Sequence, residues 1–506
     1  MFSKIKNEYF IFLVGFLIYF PIILWGGYFL DDNYRSIYAY YGWTGDYRPI
    51  GDWVYNILGL SSSFVDTFPL NYIIQFFIIT YFIIFFTDKI KKDFSLKSES
   101  KNYISMSISF LFISPFFMQN LYFRYDSLIM VVSVVSACFP YFFNNRKIDF
   151  ICCLIVLFTY QSSIVGYMCI VVLRILILSL NNENKVKIYE EIWKSVLIFV
   201  FAFLIFFLSA SFLIIPNSYA ENHKLLINSY DMFIENIIFS LKNLKFSNSL
   251  FEYAVVVFSL IVFISFVFKV VFNNSSILLL DKIIIFSLIV IVLFICFFNA
   301  NIILLKPRLY PRTYIGIGFL FFLVGLCFTV LMGGEDNRLK NYIYFFKFLL
   351  IVNFVMCINI FYAGYNYIRE TERYSENIIR NISYDILGIG QCSYDSIMVY
   401  GEINYPLRAQ VLEQRYPILK QSLPNKFDFK KHRIFYDLLV NSGCSFNKNG
   451  YQVMSVKHSY NSHITDKPNI ERADYNIVIT DNNELFIYFK NHGRIIKSPI
   501  FSNRLN

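Results

Sequence analysis

Charge is scarce in this sequence. Asp, Glu, Lys and Arg supply only 16% of its 506 residues, where a soluble domain carries about 25%. A chain so poor in charge cannot cover the surface of a soluble fold of this size. Histidine is scarcer still. The five (His223, His432, His458, His463 and His492) are scattered without paired helical spacing, so neither a metal site nor a Ser–His nucleophile is expected. Glycine never gathers into a phosphate-cradling loop of the P-loop or dinucleotide type, and no cofactor is expected. No nucleic-acid motif accompanies the formal net charge of +10. In an apolar chain that charge reads as basic loops against anionic lipid. No small-x-small cleavage pattern follows the first apolar run, so that run is expected to be retained as a span. No internal repeat is evident.

What is present is apolar surface. Hydrophobic residues make up 57% of the chain, with 59 Phe and 39 Tyr, gathered in runs of roughly 18 or more residues that suit bilayer-crossing helices. Eleven spans are expected, at 8–30, 69–87, 103–119, 126–143, 148–160, 162–180, 193–215, 251–272, 282–300, 313–332 and 342–362. The pair around Gln161 is short, and its polar turn reads alternatively as a re-entrant segment lining a cavity. The connections 88–102, 144–147, 181–194, 273–282 and 333–341 are mostly rich in Lys and Arg. The positive-inside rule assigns them, with Lys4 and Lys6, to the cytoplasmic side. Arg174, Lys269 and Lys347, near inner span ends, are expected to snorkel. The other side then receives 31–68, the turns near 124–126 and 161–163, the long loop 216–250 and 301–312. Within 216–250, residues 228–244 are amphipathic enough to lie on the membrane surface.

Beyond about residue 364 the composition is that of a soluble domain. Residues 396–400, 476–480 and 485–489 read as strands, the last two as a hairpin. Residues 408–420 begin as a helix that Pro417 should end or kink. The expected architecture is mainly α: a polytopic helical bundle over 1–363 and a small α/β periplasmic domain over 364–506. Seven of nine cysteines fall in the spans and read as small buried hydrophobes. Cys392 and Cys444 fall in the terminal domain, where they either pair in an oxidising compartment or stand as two thiols.

Chemistry concentrates in the first long loop. Asp31 and Asp32 follow the first span directly. A carboxylate at the membrane–water boundary is partly desolvated, which raises its basicity and suits a general base. Arg35 stands one helical turn beyond Asp31. Asp46, Arg48 and Asp52 then alternate with Trp43, Tyr47 and Trp53. That mixture suits sugar recognition, with rings against C–H patches and charged groups on hydroxyls. It equally suits an interfacial helix with an aromatic belt. Arg124 and Asp126 in a short turn are either functional or a structural ion pair. Lys306, Arg308 and Arg312, stiffened by two prolines, make an anion site for phosphate or for lipid head groups.

Residues 30–35 (Leu-Asp-Asp-Asn-Tyr-Arg), Gly42-Trp43 and Tyr47-Arg48-Pro49-Ile50 resemble the first outer loop of the phage-borne, serotype-converting O-antigen glucosyltransferases. Phe123-Arg124-Tyr125-Asp126-Ser127 and Gln161-Ser162-Ser163 are similar to later turns of that family. The resemblance covers about the first 170 residues and the span plan. It is nearest to the type-specific members that add glucose to N-acetylglucosamine. It implies a GT-C-like fold in the bacterial inner membrane and a polyprenyl-phosphate-glucose donor made and flipped by partner proteins. The acceptor would be an O-antigen glycan and the displacement inverting. Asp31 or Asp32 would be the base. Arg35, Arg48, Arg124, Lys306, Arg308 and Arg312 would bind donor phosphate or the acceptor's carrier. Trp43, Tyr47, Trp53, Asp126 and Gln161 would bind sugar.

Two rivals share the apolar plan. An O-antigen polymerase would place its main outer loops mid-chain. A flippase or transporter would carry charges deep in its spans or repeat symmetry, whereas here they gather at the outer edge.

Overall fold

The computed structural model describes residues 6–61, 63–143, 145–221, 225–307, 309–333, 342–390, 393–394, 396–400, 403, 405–423, 445–446, 451–453, 468–479 and 484–490. It divides into two compact units, Met1–Tyr365 with Glu413–Ser422, and Asn366–Leu412 with Leu423–Asn506.

In the first unit α1 (Asn7–Trp25) leads into a loop with two short helices, α2 (Asp32–Tyr38) and α3 (Pro49–Gly59). Then come α4 (Leu70–Asp93), α5 (Lys101–Ile113), α6 (Met118–Tyr122), α7 (Asp126–Cys138), α8 (Arg146–Thr159), α9 (Ile164–Leu180) and α10 (Lys185–Phe212). A second long loop carries α11 (Ser218–Glu221) and α12 (Tyr230–Asn243), the latter within the expected amphipathic stretch. The bundle closes with α13 (Leu250–Asn273), α14 (Leu279–Phe298), α15 (Ile315–Gly333) and α16 (Ile343–Gly388), which runs on into the second unit.

Each of the eleven apolar runs falls on a helix. Among the described residues eight helices are long and apolar enough to cross a membrane. The other three, α5, α7 and α8, hold 13, 13 and 14 residues. At 1.5 Å per residue each covers about 20 Å, short of the roughly 30 Å hydrocarbon core. Hydropathy cannot tell such helices from full spans, because residues buried in protein are as apolar as residues in lipid. Every residue of α5 after Tyr103 is buried. α15 packs against it through small residues: a Cβ on Gly325 would stand 2.8 Å from Ser107 Oγ. On the α14 side, a Cβ at Gly316 would run into the Cys296 backbone. Close helix approach in an apolar medium depends on such positions.

Where α8, α9 and α10 meet, Asp149 accepts hydrogen bonds from Arg146 at 3.1 Å and Arg174 at 2.9 Å, and Glu191 accepts from both arginines. Arg174 therefore does not snorkel. It is held inside a four-charge cluster and also donates to the carbonyls of Pro140 and Phe143. A charged head near a helix end has two outlets, the interface or a neighbouring counter-ion, and here the counter-ions of α8 and α10 are within reach.

The second unit is a five-stranded sheet in the order β4-β2-β7-β6-β5, with a separate parallel pair, β1 with β3. The strands are β1 (Ser393–Tyr394), β2 (Ser396–Tyr400), β3 (Ser445–Phe446), β4 (Tyr451–Val453), β5 (Ile470–Glu471), β6 (Tyr475–Ile479) and β7 (Glu484–Phe489). β6 and β7 pair antiparallel, as the expected hairpin requires, and β2 lies parallel to β7. Ile378, Ile379, Ile382 and Ile386 of α16 share a core with Ile397, Val399, Ile477 and Leu485 of the sheet. The helix expected over 408–420 is broken into α17 (Leu407–Arg415) and α18 (Ile418–Ser422) on either side of Pro417. The seven span cysteines are buried and free. Cys392 and Cys444 lie outside the described residues.

Candidate functional site

α1 stops at Gly26, whose φ of 59° suits a residue without Cβ. The next turn places Asp31 and Asp32 in opposite environments. Asp31 is exposed, while Asp32 is 1% exposed. The Asp32 carboxylate accepts the backbone N–H of Phe29 at 2.9 Å, of Arg124 at 2.8 Å and of Tyr125 at 3.4 Å. It thus splices the end of α1 to the turn before α7. Burial pushes its pKa up to about 8, helped by nearby Asp126 and opposed by the N–H donors and Arg35.

Arg35 lies over the Trp43 ring at 4.0 Å, donates to the Tyr41 carbonyl and stands 3.9 Å from Asp126. Asp126 accepts the indole N–H of Trp43. Trp43 itself is 0% exposed. Its ring stacks on Tyr55 at 4.9 Å, with Arg35 also against it. The structure thus places Trp43 inside the loop's packing, where no sugar face can reach it. Trp53, 66% exposed on α3, is the open ring. Asp52 accepts the N–H of Trp43 at 3.2 Å and of Thr44 at 2.8 Å.

Arg124 is committed to its own turn. Nε and Nη2 reach the Asp66 carboxylate at 3.2 and 3.0 Å, and Nη1 donates to the Gly26 carbonyl at 2.8 Å. The guanidinium also lies against Tyr28 and Phe68 at 4.2 and 4.1 Å. Sequence spacing singled out Arg124 but missed Asp66, its partner.

Arg48 is differently placed. Its backbone N–H donates to the Trp43 carbonyl at 2.9 Å, its guanidinium lies over Tyr160 at 4.8 Å, and its buried Nε has no hydrogen-bond partner among the described residues. Tyr160 donates its hydroxyl to the Arg312 carbonyl at 3.3 Å, and Asn120 donates to the same carbonyl at 3.1 Å. The Arg312 guanidinium stands over Phe123 at 4.9 Å. Gln161 donates to the Tyr47 carbonyl at 3.0 Å. Tyr160 therefore links the Arg48 side chain to the backbone of Arg312, 264 positions further along the chain. The polar turn Gln161-Ser162-Ser163 next to it was the available signal, but a tyrosine at a span end reads as an ordinary interfacial ring.

The second long loop completes the assembly. Asn217 donates to Asp46 at 2.7 Å. From α12, Asn236 donates to the carbonyls of Ile302 and Leu304 at 2.8 and 3.0 Å, and Asn243 to that of Leu309 at 2.7 Å. Lys306 is exposed on the segment so held, and Arg308 lies outside the described residues. Loops 31–68, 216–250 and 301–312 and the turns at 124–126 and 160–163 thus converge on one end of the bundle. Among the described residues no group of His, Cys, Asp and Glu could hold a metal ion.

Apolar helices with carboxylates, guanidiniums and aromatics gathered at one end define the class: a membrane-embedded helical protein equipped for polar chemistry at the bilayer edge. The chain belongs to the GtrII glucosyl transferase family, whose model, Glucosyl transferase GtrII, matches residues 20–323. The match takes in all five converging segments, and the chain is accordingly a glycosyltransferase. It is also similar to an uncharacterized 55.3 kDa protein in the gtrB 5' region of Salmonella phage P22. The two are 28% identical over 439 residues, 82% of this chain and 86% of the phage protein. No solved structure matches.

Proposed function

We propose that the protein transfers glucose from a polyprenyl-phosphate donor to a sugar of the O-antigen repeat unit, at the periplasmic face of the bacterial inner membrane. The observation that carries this reading is the anchoring of the loop that bears Asp31, through Arg48 over the Tyr160 ring and Gln161 on the Tyr47 carbonyl, beside the segment that bears Arg312, at one end of an apolar bundle. Nucleotide sugars are cytoplasmic, so a transferase working on the far side needs a donor delivered by lipid. The leaving group is then a lipid phosphate, which calls for cations at the boundary.

Asp31 is the base in this mechanism, since it alone of the pair is exposed. It takes the proton from an acceptor hydroxyl. That oxygen attacks the anomeric carbon from the face opposite the phosphate, the carbon–phosphate oxygen bond breaks, and the configuration inverts. Arg48 and Arg312, with Lys306 and Arg308, neutralise the departing phosphate. Asp32 is a positioning residue, and Arg35 with Asp126 orients the loop around Trp43. Trp53, Tyr47 and Gln161 face the sugars.

The test is transfer of labelled glucose from synthetic polyprenyl-phosphate-glucose by purified protein, with linkage analysis of the product. Asp31→Asn is expected to lower turnover by about a thousandfold or more with its melting temperature kept. If Asp31→Asn retains turnover and Asp32→Asn alone loses it, Asp32 is the base. If both retain it, the base is neither.

A further inference from the structure

Along α3, one position on from its buried residues Gly51 and Tyr55, lies a cleft of about 550 Å³, lined by Tyr41, Asp52, Asn56, Leu60 and Ser61. Its volume falls within the roughly 300–1,000 Å³ of small-molecule sites. We infer that this cleft binds a neutral sugar of the acceptor chain, a residue adjoining the one that receives glucose. The assignment to the acceptor rests on the transferase reading above.

The chemistry of the walls selects the ligand. Asp52 and Asn56 stand one turn apart on α3 and Leu60 caps its C-terminus, so this wall supplies a carboxylate, an amide and an apolar side chain. Opposite, Tyr41 is fixed by its hydroxyl, which lies 2.9 Å from the Ser63 carbonyl and 3.1 Å from that of Ser61. Asp52 is held by the Trp43 and Thr44 N–H groups, so it is preorganised, and a carboxylate has about four lone-pair directions to offer. The Asn56 side chain is exposed and makes no hydrogen bond among the described residues. A pyranose needs this set: acceptors and donors for vicinal hydroxyls and an apolar contact for its C–H patch. The lining holds one carboxylate and no cation, which disfavours phosphate and acidic sugars. The donor's phosphate is thereby excluded from this cleft.

Its location ties it to the reaction. Trp43 receives Asp52 on its backbone and gives its indole N–H to Asp126, with Arg35 over its ring. One residue therefore separates the cleft from the Asp126–Arg35 pair. The cleft and Asp31 belong to the same loop, 31–68.

The experiment uses the full-length protein in nanodiscs and de-lipidated O-polysaccharide as probe. Saturation-transfer NMR measures binding, and kinetics with labelled donor measure transfer. Asn56→Ala removes the amide and Asn56→Trp fills the cleft. Neither touches a buried side chain, and melting temperatures check the fold. Both variants are expected to weaken polysaccharide binding and raise acceptor KM by about tenfold, with donor KM unmoved. Wild type that transfers glucose, beside variants that keep full acceptor affinity, overturns the cleft and leaves the transferase reading standing. Binding that is lost in Asn56→Trp, in a protein that transfers no glucose, keeps the cleft as a glycan site and overturns its assignment to a glucosyl acceptor. Absence of both binding and transfer in wild type overturns both.

Discussion

Asp32 accepts the backbone N–H of Arg124 at 2.8 Å, across 92 residues of sequence. With the N–H of Phe29 on the same oxygen, this carboxylate fastens the first loop to the turn that opens α7. The loop that carries Asp31 is therefore held by a group that is itself out of solvent.

That burial has a pH signature. The Asp32 pKa, raised from 3.8 to about 8 in the folded protein, means that the native state keeps a proton the unfolded chain has lost. Stability from this group is complete below about pH 4 and is lost as pH rises through about 8. Melting of the detergent-solubilised wild type is expected at lower temperature at pH 8 than at pH 5. Asp32→Asn, which imitates the neutral carboxyl, should show a flatter profile. A variant as pH-sensitive as wild type over this window refutes the attribution.

Arg124 and Asp66 should behave as one unit. Their side chains are 10% and 28% exposed, and the contact uses two guanidinium nitrogens. Arg124→Lys cannot keep that geometry. Each single change, Arg124→Lys or Asp66→Asn, is expected to cost about 1–3 kcal/mol, and the double variant little more than either. Denaturant unfolding in detergent reads this out. Simple addition of the two losses would show that the residues do not act together.

Tyr160 offers a sharper test of the proposed role of Arg48. Its ring carries Arg48 and its hydroxyl holds the Arg312 carbonyl. A cation–ring contact is worth about 0.5–2 kcal/mol, so Tyr160→Leu should raise donor KM by roughly 2–30-fold with acceptor KM unchanged. Tyr160→Phe keeps the ring and should recover most of the loss. Equal shifts in both KM values would mark Tyr160 as a packing residue only.

These pairs explain what was legible in the sequence. Hydropathy placed a helix under each apolar run, strand-like runs about a turn anticipated the hairpin of the second unit, and Pro417 anticipated the broken helix. The grouping of polar loops was legible too, because basic residues sort the connections by side. Partners were not. Asp66, Asn217 and Tyr160 act across 58, 171 and 152 positions, and no local period encodes such contacts. Trp43 and Trp53 looked alike as interfacial rings, but one is buried by Tyr55 and Arg35 and the other is open. Arg174 shows the same limit: sequence reports depth along a helix and is silent about the neighbour across it.

Arg174 also carries the last prediction. Asp149 is 1% exposed on its side chain and takes both Arg174 nitrogens, at 2.9 and 3.2 Å, with Arg146 at 3.1 Å. Neutralising it leaves two half-buried guanidiniums facing Glu191 alone. Asp149→Asn should therefore destabilise by about 3–5 kcal/mol, the range for breaking a buried pair from one side. Removing a charge of each sign restores the balance, so Asp149→Leu with Arg174→Leu should be less destabilised than Asp149→Asn. Thermal melts of the solubilised protein decide between the two. A double variant that melts below the single one would mean that α8, α9 and α10 depend on the hydrogen bonds of the cluster, not only on its neutrality.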